Sequence, residues 1–443
     1  MDFESLKNKK IKHVSKLIEQ GQVCPEELTR FYLEKISNDP RAKDTFTEVF
    51  KRSALDSAIE SKKRTKAGLR KGALDGIPIS VKDLADIKRK ITAGGSSITN
   101  RKKAENNAVF VDVLKSQGGI ILGKTHMTEL AFSGLGLNPI TATPVNPFDA
   151  ELVSGGSSSG SAVSVSRNYC LASIGSDTGG SVRIPAAWNN LVGLKTTHNI
   201  IDLTGVLKLC PSFDTLGPIC KNVDDTNLLF SAMTNSRFQN LRNYRSGDLK
   251  FLIIKNMFFE EIDSDINDSF NVAIDKIIMS GANVEYKTIS EIDIAFEISK
   301  TVFPAEAYGM WGHEIEKSPE KMFTPIRERF RSGQHILAHE YVLSLQKLFE
   351  LRKSFLQKVE GFDAILAPTS PIKPPNITQL LDDHEFFTKQ NLLALRNTRF
   401  ANSLNLCALT LPTETHFSGL MLMGRPNNEF DLMSIALAIE KIK

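Results

Sequence analysis

The stretch from residue 151 to residue 220 restricts the fold more than any other part of the sequence, because it is poor in charge. It contains eight charged side chains in 70 residues (8/70, about 11%), whereas charged residues make up 24% of the whole chain. Charged side chains are seldom buried without a partner, so a stretch of this kind is expected to form the centre of a core. It includes an unbroken run of serine and glycine, SGGSSSGS, at 154–161. Linkers of that composition are solvated, so this run is not expected to be a linker.

The composition of the whole chain is typical of a globular protein. Hydrophobic residues make up 41% of its 443 residues, which argues against disordered, collagen-like and coiled-coil structures. At roughly 150 residues per domain, the length corresponds to about three domains or one large one. The five cysteines include no C-x-x-C pair, so neither a disulfide framework nor a zinc site is indicated, and a reducing compartment is favoured. We expect neither a metal nor a cofactor.

The charge is unevenly distributed along the chain. The net charge is 55 − 51 = +4, but the first 110 residues carry 24 Lys/Arg and 15 Asp/Glu, a net of +9, which leaves −5 for the remainder. Few aromatic residues interrupt the basic clusters, so a solvated face is favoured over a polyanion site. The N-terminal MDFESLKNKK lacks the apolar segment of a signal peptide, and no run of about 18 apolar residues occurs. These features predict a cytoplasmic protein without a membrane segment.

Hydrophobic periodicity predicts alternating helices and strands. Residues 4–72 are expected to be helical, whereas GIPISVK at 76–82 predicts a strand with Ser80 and Lys82 on one face and the apolar residues on the other. A βαβ arrangement should follow, with a helix at 109–116, a strand at 120–122 and another helix starting near Thr125. The later predicted elements are strands at 251–254 and 364–367 and helices at 266–279 and 338–359.

Three motif matches lack the context that their chemistry needs. GGIILGKT at 118–125 has the letters of a P-loop, but it follows a predicted helix and its interior is a predicted strand. GSSSG at 156–160 matches a nucleophile elbow, but no buried strand precedes it and no histidine is marked as its partner. His335 and His339 have no evident third ligand, so a solvated helix face is favoured over a metal site.

The remaining motifs form one constellation: GIPISVKD at 76–83, GGSSSG at 155–160 and GSDTGGS at 175–181. In this order and spacing the sequence resembles the amidase signature family. The resemblance covers nearly the whole chain, since it continues through GKTHMTELAF (123–132), VRIPAAWNNLVGLKTT (182–197), ILAPTSP (365–371) and LTLPT (409–413).

The resemblance implies a fold class, α/β, in a single α/β/α domain with a large mixed sheet covered by helices, rather than three domains. Within that domain we predict three parts. Residues 1–72 form an N-terminal helical part, residues 73–225 the signature core, and residues 226–443 a remainder with a variable substrate pocket.

The resemblance also implies a Ser–Ser–Lys mechanism. Ser181 would be the nucleophile, and Ser157 would pass its proton to Lys82. A lysine can act as a base only when it is neutral. Lowering the pKa of Lys82 from about 10.4 to near 7 requires desolvation that corresponds to roughly 4 kcal/mol.

Around the nucleophile, the resemblance predicts a cis peptide bond between Gly156 and Ser157. The backbone amides of 178–181 would form the oxyanion hole, with Thr178, Gly179 and Gly180 as its donors beside the amide of Ser181. Asp177 and Arg183 flank the nucleophile, and a structural ion pair is favoured over a direct contact of Arg183 with substrate.

The candidate substrate contacts are less specific, because core packing is the commoner role of buried aromatic residues. Arg329 lies in RERFRSG at 327–333, where the family's tRNA-linked glutaminase has a different arginine segment. Arg329 could still bind a substrate carboxylate. The candidates are Ser158, Arg183, Phe132, Tyr308 and Arg329, and Trp311 and Phe330 are further aromatic residues of the pocket region.

The resemblance leaves two enzymatic functions open, both without a cofactor. One is a free-standing amidohydrolase that releases ammonia or an amine from a small amide, and a homodimer is compatible with it. The other is the glutaminase component of an amidotransferase acting on Glu-tRNA(Gln) or Asp-tRNA(Asn), with partner subunits and tRNA. A catalytically inactive scaffold is disfavoured, because Lys82, Ser157 and Ser181 are all present.

Overall fold

The computed structural model describes residues 3–236 and 238–442. The strands are β1 (Phe46–Val49), β2 (Pro78–Lys82), β3 (Ile120–Thr125), β4 (Ala172–Ser176), β5 (Val192–Lys195), β6 (Leu216–Cys220), β7 (Lys250–Ile254), β8 (Asn283–Lys287), β9 (Ala364–Pro368), β10 (Cys407–Pro412) and β11 (Gly419–Gly424). The helices are α1 (Ile11–Glu19), α2 (Pro25–Asn38), α3 (Ala42–Thr45), α4 (Lys51–Lys66), α5 (Val109–Ser116), α6 (Ser159–Ser166), α7 (Arg183–Trp188), α8 (Val223–Met233), α9 (Ser264–Met279), α10 (Ser290–Lys317), α11 (Thr324–Arg331), α12 (Ala338–Lys358), α13 (Ile377–Asp382), α14 (His384–Ser403) and α15 (Glu429–Glu440).

All of these strands join one mixed sheet, in the order β1-β3-β2-β4-β6-β5-β10-β11-β9-β7-β8. The pairs β2/β3, β2/β4, β7/β8 and β7/β9 are parallel, and the others are antiparallel. Neighbours in the sheet can therefore be distant in sequence, as Leu194 of β5 and Leu409 of β10 are. The structure shows the predicted α/β class with a large mixed sheet.

Helices cover both faces of the sheet, as the side chains of β7 demonstrate. Successive residues of a strand point to opposite faces. Leu252 and Ile254 pack with residues of α10, α12 and α14, whereas Phe251 and Ile253 pack with residues of α8, α9 and α15. Because both faces are covered, β7 is apolar at consecutive positions rather than at every second one.

Most of the predicted elements are present, but two predictions were wrong. Residues 4–72 are not entirely helical, because β1 interrupts the helices and pairs antiparallel with β3. The helix predicted near Thr125 is absent, since β3 itself continues to Thr125 and only a 3-10 turn at Glu129–Ala131 follows. In both cases long-range strand pairing decides the conformation, and local periodicity does not report it.

The charge-poor stretch occupies the centre of the sheet. It supplies β4, β6 and β5, which lie next to one another, together with α6 and α7. The glycine and serine residues at 154–161 are all buried, so this run is not a solvated linker. In the part of the chain that the structure describes, no helix combines the length and the apolar character needed to cross a membrane.

Candidate active site

Lys82 is the last residue of β2, and its side chain is buried with 1% exposure. Its Nζ donates hydrogen bonds to Ser157 Oγ at 2.7 Å and to Ser176 Oγ at 2.8 Å. β2 and β4 are parallel, so their carboxyl ends meet at the same edge of the sheet. That arrangement brings Lys82 beside Ser176, the last residue of β4. It also brings Lys82 towards the loop between β4 and α7.

Burial lowers the pKa of Lys82 from 10.5 to about 7, because the charged ammonium loses its hydration. The negative charges of Asp177 and Asp214 oppose this change without reversing it. A large fraction of Lys82 is therefore neutral at neutral pH. A neutral amine that already contacts two serine hydroxyls can accept a proton from either of them.

The peptide bond between Gly156 and Ser157 is cis, as the family resemblance predicts. The turn is held by the amides of Gly155 and Gly156, which donate to the carbonyls of Leu135 (3.0 Å) and Gly134 (2.7 Å). A Cβ at position 156 would lie 2.6 Å from the backbone nitrogen of Gly136, so only glycine fits this approach. The packing against 134–136 therefore explains Gly156, whereas a Cβ on Gly155 would lie 2.9 Å from Pro185 Cα.

Asp177 organises the loop between β4 and α7. Its carboxylate accepts hydrogen bonds from the backbone amides of Gly180 (2.8 Å) and Val182 (3.1 Å). The Arg183 side chain donates to the same carboxylate through Nε at 3.0 Å and Nη2 at 2.9 Å. Burial opposes ionisation of this carboxyl, but the charge of Arg183 and its hydrogen bonds hold the pKa of Asp177 well below its ordinary range. The predicted ion pair is therefore present, and it fixes the loop that carries Ser181.

Ser181 is 3% exposed, and its hydroxyl forms no hydrogen bond with any of the described residues. Its carbonyl accepts a hydrogen bond from the amide of Ser158 at 3.2 Å, which places Ser181 next to the turn of Ser157. The structure thus brings together the three segments that carry Lys82, Ser157 and Ser181.

The amides of the predicted oxyanion hole differ in their hydrogen bonds. The amide of Gly180 already donates to Asp177 Oδ1 at 2.8 Å, so it does not offer a free donor. By contrast, within the described residues the amides of Thr178, Gly179 and Ser181 form no hydrogen bond. The Gly180 N–H is therefore engaged by Asp177 in this structure, and the assignment of Thr178, Gly179 and Gly180 as oxyanion donors stays a prediction.

One face of α14 holds this loop from the other side. Thr398 Oγ1 donates to the carbonyl of Gly179 at 2.7 Å, and Asn402 Nδ2 donates to the carbonyl of Asp177 at 3.0 Å. Asn402 Oδ1 also accepts from Arg183 Nη2 at 2.6 Å. Leu395 and Arg399 share this face, which follows from the helical spacing. We did not predict these residues from the sequence, where the polar letters NTRFAN at 397–402 were the only available signal.

Three of the predicted substrate-pocket residues are brought together. The rings of Phe132 and Phe330 have centroids 4.6 Å apart, and the Arg329 guanidinium lies 4.1 Å above the Phe132 ring. Arg329 Nη1 also donates to the carbonyl of Phe132 at 2.6 Å. The segment of Phe132 leads directly into 134–136, which supports the turn of Ser157, so this cluster adjoins the catalytic segments.

The other candidates have different surroundings. Ser158 Oγ donates to the carbonyl of Ser176 at 3.2 Å. The Trp311 indole donates to the carbonyl of Lys208 at 2.8 Å. Tyr308 is hydrogen-bonded to Glu316 (3.5 Å) and lines an open surface cavity of about 530 Å³ along α10. None of the residues that carry the catalytic segments lines this cavity, so its size does not mark the active site.

The mixed sheet thus holds a buried lysine between two serine hydroxyls, and comparisons with known proteins show which family has this fold. The model of the Amidase family matches residues 27–433. The 2-amino-5-chloromuconic acid deaminase of Comamonas testosteroni is 32% identical over 84% of this chain and 82% of its own. The A component of the glutamyl-tRNA(Gln) amidotransferase of Ruminiclostridium cellulolyticum is 29% identical over 97% of this chain and 96% of its own.

A solved structure described as that of an amidase shares the fold, with a TM-score of 0.88 and 24% identity over 97% of this chain and 99% of that one. The chain belongs to the Amidase family. It is an enzyme that hydrolyses carbon–nitrogen bonds in amides.

Proposed function

We propose that this enzyme hydrolyses a small amide through an acyl-enzyme on Ser181, with Ser157 and Lys82 as its proton relay. The hydrogen bond of 2.7 Å between Lys82 Nζ and Ser157 Oγ carries the proposal. A buried lysine with a pKa of about 7 is a suitable base at neutral pH, and this hydroxyl lies on the turn that contacts Ser181.

In the first step, Ser181 Oγ attacks the amide carbonyl carbon and transfers its proton to Ser157 Oγ. Ser157 passes its own proton to neutral Lys82. The negative charge that develops on the carbonyl oxygen is stabilised by the amides of Thr178, Gly179 and Ser181, which have no partner among the described residues.

Collapse of the tetrahedral intermediate breaks the C–N bond, and the proton returns from Lys82 through Ser157 to the leaving nitrogen. Ammonia or an amine departs, and the acyl group stays on Ser181. Water then attacks this ester by the same relay, which releases the acid and restores Ser181.

The test of this mechanism is ammonia release from a panel of small primary amides and ureas by the wild-type chain and by Ser181→Ala. The variant should lose turnover and labelling by a fluorophosphonate while keeping its far-ultraviolet circular dichroism. The wild-type kcat/KM should rise with pH through about 7, as Lys82 becomes neutral. Full activity of Ser181→Ala would rule out the mechanism.

The second candidate is the glutaminase component of a tRNA-dependent amidotransferase. The 29% identity to such a protein over 97% of this chain favours it. In that case the partners would be two further subunits and Glu-tRNA, and ammonia release from glutamine would depend strictly on adding them. If the purified chain alone turns over a small amide at full rate, the free-standing function is retained and the amidotransferase function is ruled out.

A further inference from the structure

Asp214 is a buried carboxyl group beside the loop between β4 and α7. β4 and β6 pair antiparallel up to the end of β4, and the contact continues beyond the strands, since the amide of Asp177 donates to the carbonyl of Thr215 at 2.8 Å. The next residues on the two sides are Thr178 and Asp214, and Thr178 Oγ1 donates to Asp214 Oδ1 at 2.6 Å. The sheet therefore brings Asp214 against a residue whose amide has no partner among the described residues.

In the described part of the chain, the hydrogen-bond partners of Asp214 are all donors. Its carboxylate also accepts from the amides of Leu209 at 2.8 Å and Cys210 at 3.1 Å. Burial raises the pKa of Asp214 to about 6, and the hydrogen bonds from Thr178 and from these two amides oppose that increase. The carboxyl group is therefore mostly ionised at neutral pH, and an ionised carboxylate only accepts hydrogen bonds. An asparagine would turn its own N–H group towards one of these donors.

The segment 208–213, which leads into Asp214, is packed against α10. The amide of Ser212 donates to Glu306 at 2.9 Å, and the ring of Phe213 stacks on that of Phe303 with centroids 4.3 Å apart. Asp214 is thus fixed by its own surroundings, so it can restrain Thr178 rather than follow it.

Thr178 and Gly179 are anchored separately, although they are neighbours in the loop. Thr178 Oγ1 has no hydrogen-bond partner other than Asp214 within residues 3–236 and 238–442. The carbonyl of Gly179 is held instead by Thr398 of α14, at 2.7 Å. An amide stabilises a developing oxyanion most when its direction is fixed before the reaction, so each anchor fixes one of the proposed donors.

We propose that Asp214 is a positioning residue for the reaction: it holds Thr178 through the side-chain hydroxyl, so that the Thr178 amide is aligned with the oxyanion of the tetrahedral intermediate. This inference rests on the proposed function for its reaction, whereas the hold on Thr178 can be measured without turnover.

The kinetic test uses Thr178→Val, which breaks the hydrogen bond at nearly constant shape. It leaves in place the charge of Asp214, which favours the protonated form of Lys82. Removal of a whole oxyanion donor costs about 10²–10³ in kcat, so misalignment of one should lower kcat by about ten- to a hundredfold and leave KM nearly unchanged. Thr178→Ser keeps the hydroxyl and should restore most of the lost rate. Tyr244→Phe is the matched control, because it removes a hydroxyl–carboxylate bond of 2.5 Å to Asp431 on α15, and it should keep the wild-type kcat.

A double variant tests whether the two side chains act through one bond. Thr178→Val combined with Asp214→Asn should be no slower than Asp214→Asn alone, because both changes break the same hydrogen bond. Losses that multiply in the double variant would overturn the inference, and so would equal kcat values for Thr178→Val and Tyr244→Phe.

Amide hydrogen exchange measures the hold on the loop without turnover. Peptides that cover 177–181 should exchange faster in Thr178→Val than in the wild type, Thr178→Ser and Tyr244→Phe. Equal exchange in all four proteins would overturn the inference. A wild type that hydrolyses no amide and is not labelled at Ser181 by a fluorophosphonate would instead overturn the proposed function, and the exchange result would still decide whether Asp214 holds Thr178.

Discussion

Lys82 contacts the hydroxyls of Ser157 and Ser176 at nearly equal distances. The surroundings of each serine indicate which of the two carries the proton. Ser157 is on the turn whose next amide, that of Ser158, donates to the carbonyl of Ser181. Ser176 ends β4 and accepts the second hydrogen bond from Lys82 Nζ. The proton path from Ser181 should therefore run through Ser157, while Ser176 orients the lysine.

We expect Ser157→Ala to lower kcat by at least a hundredfold, because loss of a positioned proton carrier costs about 10²–10⁴ in rate. Ser176→Ala removes a hydrogen bond of similar length to the same nitrogen, so it is the matched control, and it should lower kcat by less than about tenfold. Steady-state ammonia release measures both. If the two variants lose activity equally, Ser157 is not the specific carrier.

Burial of Lys82 should also be visible as pH-dependent stability. The pKa is about 7 in the folded state and 10.5 in the unfolded chain, so the unfolded chain binds more protons between these values. The free energy of unfolding should therefore rise with pH across this window. The destabilisation that results from burying a charged Lys82 is greatest below about pH 7. Lys82→Met removes this contribution.

Between about pH 6 and about pH 9, the stability of the wild type relative to Lys82→Met should increase by about 2–3 kcal/mol. Urea denaturation at each pH measures the difference. Lys16→Met, which replaces an exposed lysine on α1, is the control and should show no such trend. A difference between wild type and Lys82→Met that does not change with pH would contradict a neutral buried lysine.

At the scale of elements, α14 supports the shape of the catalytic loop although the two are far apart in sequence. Its spacing of 395, 398, 399 and 402 places four side chains on one face, which contacts the loop after β4. Local sequence around Ser181 therefore explains only part of the oxyanion geometry. A loop with three free amides needs an external support to keep them aligned.

Thr398→Val should lower kcat by roughly tenfold, because it removes the hydrogen bond to Gly179 while keeping the side-chain shape. The free energy of unfolding should fall by about 1 kcal/mol. Thr388→Val is the control on the same helix, since Thr388 Oγ1 bonds only within α14, to the carbonyl of His384, and is exposed. Kinetics and urea denaturation test both variants. Identical kcat values for the two would mean that α14 does not support the loop.

At the scale of the whole molecule, the sheet joins the predicted parts of the chain. β5 from the signature core pairs with β10, and Asn402 completes the Asp177–Arg183 pair. The division into 1–72, 73–225 and 226–443 stays a prediction about sequence character, and it does not imply that the parts fold independently.

We therefore expect one cooperative unfolding transition for the whole chain. Near-ultraviolet circular dichroism, far-ultraviolet circular dichroism and fluorophosphonate labelling of Ser181 should lose their native signals at the same urea concentration. Separate midpoints, with labelling retained after part of the helical signal is lost, would show that the signature core is stable without the C-terminal part.

The motifs predicted much of the site because each catalytic segment is continuous in sequence. GIPISVKD, GGSSSG and GSDTGGS identified Lys82, Ser157 and Ser181, and the apolar strand around Lys82 indicated its desolvation. Helix and strand types were also predictable where the period was clear. β1 and the continuation of β3 were not, because their conformation depends on pairing with each other.

The sequence by itself determined the family, the three segments that we propose to be catalytic, and the charge-poor stretch that forms the centre of the sheet. Only the tertiary structure decided that the Gly180 amide donates to Asp177, that α14 supports the loop between β4 and α7, and that Arg399 lies beside Gly179. The physical reason is that a motif constrains neighbours along the chain, whereas hydrogen-bond partners and charge balance depend on groups that folding brings together from distant positions.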